Sequence, residues 1–390
     1  MAKKRIGILT GGGDVPGLNS VIKAVVYRGG EIGFDVLGIR KGWEGLTHVN
    51  LSSGIDDRYV LPLNRANTRT IDRTGGTFLH SSRTNPAKMK VAKLPPHLAQ
   101  KAGAFREVKP GVVDVTPAVL ENIQALGIDA LVVIGGDDTL SYAPVLEQHG
   151  VPVIAVPKTM DNDVQNTEYC IGFSTAVTRA VAAISRQRTT VGSHERIGIF
   201  RIFGRDAGYT ALYTAYVTSI RCCIPEFRFD LAKLIDLLMT DKRNNPSNYA
   251  LVVISEGATW QGGEVKEYGE ADAFGHRKKV NIGEALSDEI KKATGEETIV
   301  SDLTYDLRSG EPDFVDKLVA ITFANMALDC LAEGKHGRMM AIQNGCYVDT
   351  NIPDSSLGPR KVDVSTMYNC DRYRPNYTNK NGWPIFLTRV

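Results

Sequence analysis

Residues 131–163 read LVVIGGDDTLSYAPVLEQHGVPVIAVPKTMDND, and the fold follows from that stretch. Two apolar runs, 131–134 and 153–156, are rich in β-branched residues and stand about one helix apart. Each runs into a polar loop that carries carboxylates. Such a strand–loop–helix–strand–loop unit belongs to an open parallel sheet, where ligands bind as loops leave the carboxyl ends of strands. Gly135 and Gly136 let a backbone come close to a ligand. Asp137, Asp138, Lys158, Asp161 and Asp163 supply charge. Four carboxylates and one lysine beside a glycine pair point to phosphate and magnesium rather than to packing. The bland alternative is a pair of ordinary turns, since Gly-Gly-Asp-Asp and Asp-Asn-Asp are favourable turn sequences. Two such turns at successive strand ends, each with several acids, weigh against it.

The same alternation extends outward. Residues 5–9 form an apolar strand that runs into TGGGDVPG at 10–17, and apolar residues then recur at helical spacing up to Gly29-Gly30. Strand, glycine-rich turn and helix point backbone N–H groups at phosphate. The glycines fit neither GxGxxG nor a Walker A loop, so taken alone the loop reads equally well as a tight turn. A second strand is expected at 34–39. Residues 74–86, TGGTFLHSSRTNP, form a polar loop with Arg83 between Ser82 and Thr84. Residues 88–114 look irregular, broken at Pro95-Pro96 and Pro110-Gly111, and read as a surface excursion or a subunit contact. Thr116 is expected to cap a helix with Pro117 in its first position and Gly127 at its end. A helix over 140–149 is closed by Gly150.

Downstream, helices are expected at 173–190, 208–219, 229–241, 281–294 and 316–333, and strands at 196–203, 249–255 and 338–343. The tail, 368–390, has no period. Strands alternating with helices make the chain α/β with mostly parallel sheets.

The 390 residues suffice for two domains of ~100–200 residues each. A formal charge of +2 gives no bulk attraction to nucleic acid or an anionic membrane, so phosphate binding must be local. No apolar run reaches the ~18 residues of a membrane helix. The basic N-terminus MAKKRIGILTGGGD loses its apolar character at glycines, so a signal peptide is not expected. The six cysteines form no CxxC pair and are read as buried free thiols of a reducing, cytoplasmic compartment, with no zinc site.

Phosphoryl transfer to a sugar hydroxyl needs a base, a metal bridging phosphate oxygens, and donors for the transferred charge. Asp161 suits the base and Asp137 suits magnesium, while Arg83, Lys158 and the N–H groups near Gly11–Gly13 suit the charge. GGGDVPGLN at 11–19, GGTFLHSSR at 75–83, GGDDT at 135–139, PKTMDND at 157–163, FGRDAG at 203–208, ISEG at 254–257 and YDLR at 305–308 follow in one order. In that combination the chain resembles the phosphofructokinases from residue 5 to about residue 345.

The resemblance implies two Rossmann-like three-layer domains with mostly parallel sheets and an active site in the cleft between them. Residues 1–172 plus 308–358 would bind the phosphoryl donor, and 173–307 plus 359–390 fructose 6-phosphate. By position, Gly13 would contact the donor and Asp137 would hold Mg2+. Asp161 would be the general base, with Thr159 beside it on the sugar phosphate and Asp163 in support. Phe203, Gly204 and Arg205 would line the sugar site, and Glu256 would accept sugar hydroxyls. Tyr305 and Arg308 would bind the 6-phosphate, joined by Arg196 from a neighbouring subunit of a homodimer or homotetramer. Arg83 would bridge the phosphates of donor and acceptor.

Departures from the family pattern bear on the donor. ATP-using members commonly carry glycine where Asp138 stands, beside the nucleotide's α-phosphate; a carboxylate there fills the space and repels that phosphate by about a kcal/mol or more. Bacterial ATP enzymes tend to have glycine in place of Lys158 as well. Asp138 and Lys158 together resemble the diphosphate-dependent branch, and Tyr305 in place of histidine is a change in the same direction. Ile299 replaces a second phosphate-binding arginine, and Phe203 a methionine. The expected activity is reversible transfer from diphosphate to fructose 6-phosphate. The alternatives are an ATP-dependent enzyme, a nucleotide- or lipid-kinase relative, a non-catalytic regulatory subunit, or action on a seven-carbon sugar phosphate.

Overall fold

The apolar runs become two parallel sheets in the computed structural model, which describes residues 4–54, 56–263, 267–268, 278–279 and 281–388. The larger sheet has seven strands in the order Cys346–Asn351, Arg338–Gln343, Val153–Pro157, Ala130–Gly135, Lys4–Thr10, Phe34–Ile39 and Val60–Leu63. Its five inner strands are parallel and both edge strands antiparallel. The smaller sheet runs Arg221–Cys223, Ala250–Ser255, Ile197–Ile202, Thr298–Asp302, parallel throughout.

A parallel strand covered on both faces reads as a continuous apolar run. Leu131, Val132, Val133 and Ile134 are all buried completely, each contributing about 1.5–3 kcal/mol, which explains a central place in the sheet. Ile8, Val132 and Ile134 join a core that continues into the smaller sheet through Ile199 and Val252. Leu9, Leu131 and Val133 face a second core with Trp43, Val119 and Tyr142. Helix Leu18–Glu31 packs against helix Phe314–Ala332 over the first of these faces.

Register assembles the loops. Thr10 lies opposite Ile134 and Gly135 opposite Pro157, so the glycine loop, GGDD and KTMDND leave three adjacent strands at one level. In the smaller sheet Ile202 lies opposite Ser255 and Arg201 opposite Asp302, which brings together the loops at 203, 256 and 303.

Several expectations are corrected. Residues 88–114 are not irregular: Met89–Lys90, Arg106–Lys109 and Val112–Asp114 form a three-stranded antiparallel sheet over a small core of Met89, Leu94, Leu98 and Val113. Strands of two to four residues show no period, and the Pro95-Pro96 break begins a helical turn, Pro96–Ala99, instead of ending one. The helix expected over 140–149 is two helices, Asp137–Leu140 and Ala143–Gln148, because Pro144 lacks the N–H needed to continue the first. Thr116 lies inside helix Thr116–Ala125 rather than capping it, and its N–H donates to Asp114 Oδ1 at 3.0 Å. The antiparallel strand Cys346–Asn351 was not expected. Among the six free cysteines Cys346 is exposed and Cys370 half-buried, and the other four are buried. No helix of the described residues is long and apolar enough to cross a membrane.

Candidate active site

The loops at the carboxyl ends of both sheets enclose a cavity of about 1760 Å3. Gly13, Arg83, Asp137, Asp138, Lys158, Thr159, Asp161 and Asp163 line it from the larger sheet, and Phe203, Arg205, Glu256, Tyr305 and Arg308 from the smaller sheet's side. Gly204 and Arg196 do not. A second cavity of about 870 Å3, lined by Arg5, Phe34 and Arg65, lies at the opposite ends of the strands and holds none of these residues.

The glycine loop is shaped by close approach. A Cβ on Gly11 would come within 2.6 Å of Thr139, and Gly12 takes φ +79°, a left-handed value that favours glycine. The N–H groups of Gly11 and Gly12 are already spent on the carbonyls of Ile134 and Ser82, each at 3.0 Å. This corrects the expectation that the whole loop offers donors to phosphate. Gly13 remains for a ligand.

Lys158 is 4% exposed, and its Nζ donates to the Gly13 carbonyl at 2.8 Å. Burial, and then the neighbouring Arg308, pull its pKa down to about 8. The ammonium thus sits directly beneath the glycine loop. Asp137 is pushed up to about 8 by burial and by the charges of Asp163 and Asp138. Among the described residues no three of His, Cys, Asp and Glu converge to hold a metal unaided. Magnesium does not require that, because it ordinarily takes one or two carboxylates together with phosphate oxygens. A half-buried carboxyl crowded by other acids fits such a cation.

The PKTMDND loop is pinned at several atoms. Buried Asn162, at φ +55°, donates to the Glu168 carbonyl at 2.9 Å and accepts from the Cys170 N–H at 2.7 Å. The Thr210 hydroxyl donates to the Met160 carbonyl at 2.7 Å, and the Asp161 N–H donates to the Thr159 hydroxyl at 3.1 Å. Asp161 Oδ1 is buried with no hydrogen-bond partner. Burial, then Asp163 and Glu256, hold the Asp161 carboxyl well above the usual range. Burial raises Asp163 to about 6. A carboxylate that lines the cavity and whose pKa is raised can accept a proton from a ligand hydroxyl.

Across the cavity the Arg308 guanidinium stacks over Phe203 at 4.7 Å and Tyr305 at 5.1 Å, and its Nη1 stands 3.7 Å from Asp14 Oδ1. Tyr305 is 72% exposed. Gly204 turns the loop at φ +123° without facing the cavity. Arg196 precedes strand Ile197–Ile202 at its far end, roughly 20 Å from the loops at ~3.3 Å per residue.

Sequence reasoning missed Arg201, whose Nη2 meets Glu256 Oε2 at 3.1 Å and whose Nη1 meets Asp302 Oδ2 at 2.7 Å. An arginine inside the otherwise apolar IGIFRI was the available signal. It also missed Lys88, Lys90, Lys93 and Lys109, which the small antiparallel sheet brings to the cavity's rim.

A family model described as phosphofructokinase matches residues 5–331. The pyrophosphate–fructose 6-phosphate 1-phosphotransferase of Streptomyces coelicolor is 36% identical over 92% of this chain and 96% of its own. That of Dictyoglomus thermophilum is 36% identical over 95% of this chain and 100% of its own. ATP-dependent 6-phosphofructokinase 2 of Streptomyces coelicolor is also 36% identical, over 87% of this chain and 91% of its own. Among solved structures, a pyrophosphate-dependent phosphofructokinase from Nitrosospira multiformis superposes with a TM-score of 0.77 at 16% identity, covering 98% of this chain and 92% of that one. At that identity the likeness shows the fold.

Proposed function

The chain belongs to the phosphofructokinase family, and on that premise we propose that it transfers a phosphoryl group reversibly from diphosphate to the 1-hydroxyl of fructose 6-phosphate. The products are fructose 1,6-bisphosphate and phosphate. The observation that carries the choice of donor is the pair Lys158 and Asp138. A buried ammonium under the glycine loop supplies charge to a short inorganic donor, and the carboxylate at the cavity wall opposes the α-phosphate of a nucleotide.

In this reading the Asp161 carboxylate at the cavity wall accepts the proton of the 1-hydroxyl while the hydroxyl oxygen attacks the donor's phosphorus. The P–O bond to the leaving phosphate breaks, and Lys158, Arg83 and the Gly13 N–H balance the charge on the transferred group. Asp163 keeps the loop's acids crowded and the Asp161 pKa high. Arg308, Tyr305 and Arg205 take the 6-phosphate, and Glu256, oriented by Arg201, takes sugar hydroxyls beside Phe203. Thr159 positions the acceptor next to the base. When bound, magnesium would neutralise the donor's charge, with Asp137 as its protein ligand.

Residues 1–172 plus 308–358 form the donor half and 173–307 plus 359–390 the sugar half. Arg196, remote from its own cavity, serves a neighbouring subunit in a homodimer or homotetramer. The compartment is the cytoplasm, and the reaction serves glycolysis or gluconeogenesis. The test compares diphosphate with ATP at matched concentrations, with fructose 6-phosphate and magnesium. Turnover with diphosphate alone supports the reading, turnover with ATP alone overturns the role given to Asp138, and no turnover favours a regulatory subunit.

A further inference from the structure

The segment after residue 355 lies beyond the motifs of the sequence, yet three of its residues stitch the two halves of the site together. The Arg360 N–H donates to the Asp163 carbonyl at 2.6 Å. Its Nη2 donates to the Asn162 carbonyl at 2.6 Å and the Glu168 carbonyl at 3.4 Å, and its Nη1 to the Thr388 hydroxyl at 2.9 Å. The guanidinium stacks on Tyr209 at 4.4 Å, and the Tyr209 hydroxyl donates to the Lys361 carbonyl. The Val362 N–H and the Gly208 N–H both donate to Glu226 Oε1 at 2.9 Å, which ties the FGRDAG loop to the same strand of tail.

Arg360 is 6% exposed. Its guanidinium is met by carbonyls and a hydroxyl rather than by a carboxylate. Burying a cation this way costs stability that an apolar side chain of similar size would not. The charge lies directly behind a loop carrying two acids, Asp161 and Asp163, and it offsets part of the rise that burial imposes on Asp163. A site held to within an ångström depends on such supporting contacts, since a 1 Å misplacement costs about 100-fold in rate.

We infer that Arg360 is a positioning residue for catalysis, holding the 161–163 loop in its working geometry from behind through the Asn162 and Asp163 carbonyls. The inference rests on the reaction proposed above. In the full-length enzyme with diphosphate, fructose 6-phosphate and magnesium, Arg360→Met is expected to lower kcat about 100-fold. KM for both substrates should stay within about threefold, since the phosphate-binding side chains are untouched. Arg360→Lys, which keeps the charge but loses the fork, should recover part of the rate and remain about tenfold below wild type. Wild-type kcat in either variant overturns the inference, with circular dichroism confirming that the variant is folded. If Arg360→Met does not fold, the Lys variant decides alone: unchanged KM with reduced kcat supports the role, and wild-type kcat removes it. Failure of the wild-type enzyme to turn over diphosphate is a different result, and it counts against the reaction rather than against Arg360.

Discussion

Asp161 carries the chemistry at the scale of a single residue, and its environment sets the expected behaviour. Its carboxyl is crowded by Asp163 and Glu256 and raised by burial, so removing the charge relieves repulsion. Asp161→Ala should therefore lower kcat by about 10²–10⁴-fold while the thermal midpoint holds or rises; near-normal turnover would remove Asp161 from the base role. The acid limb of kcat/KM should reflect this raised carboxyl, because the base works only when ionised. On the alkaline side the sign reverses. Lys158, with a pKa pulled down to about 8, loses its proton as pH rises through that value, and diphosphate binding weakens with it. A pH profile of kcat/KM for diphosphate should fall near 8, and Lys158→Arg should move that limb upward. An unmoved limb assigns it to another group. Asp138→Gly should shift the ATP-to-diphosphate ratio of kcat/KM by about tenfold or more towards ATP, about 1.4 kcal/mol; an unchanged ratio would mean that Asp138 does not exclude nucleotides.

At the scale of elements, two helices are locked end to end beneath the site. Asp313 Oδ1 caps helix Phe314–Ala332 by accepting from the Asp316 N–H at 2.9 Å. Asp316 in turn accepts from the Tyr169 hydroxyl at 2.6 Å, the Gly172 N–H at 2.7 Å and the Thr175 N–H at 2.8 Å, at the start of helix Phe173–Ser193. Asp316→Ala would leave these buried donors unpaired, at about 1–3 kcal/mol each before relaxation. Urea unfolding should show a loss of about 3 kcal/mol or more, and a loss under 1 kcal/mol would mean that water or rearrangement replaces the carboxylate. The sequence marks both helices, but it does not mark this join. Asp316 and Gly172 are 144 residues apart, so neither propensity nor spacing registers the contact.

For the whole molecule the proposal to test is that Arg196 acts in a neighbouring subunit. It lies at the far end of its strand from its own cavity. Arg196→Ala should raise KM for fructose 6-phosphate about tenfold with kcat little changed. Mixing that variant with Asp161→Ala should restore the low KM for fructose 6-phosphate, because a hybrid contains a site with Asp161 from one subunit and Arg196 from the other. No recovery in verified hybrids would confine Arg196 to a structural role in its own subunit.

The strands and the loops that end them were legible in the sequence because their signals are local. Fully buried parallel strands must be apolar throughout, and loops that approach a ligand must carry glycine and charge within a few residues. Thirteen of the fifteen residues singled out for the site line the cavity for that reason. What surrounds them was decided only by tertiary structure. Arg201 against Glu256, Arg360 behind Asn162, and the small sheet that carries Lys88 and Lys109 to the cavity rim all depend on contacts between distant or very short segments. Chain periodicity carries no trace of such contacts, because burial and hydrogen bonding there are settled by which surfaces meet after the sheets have formed.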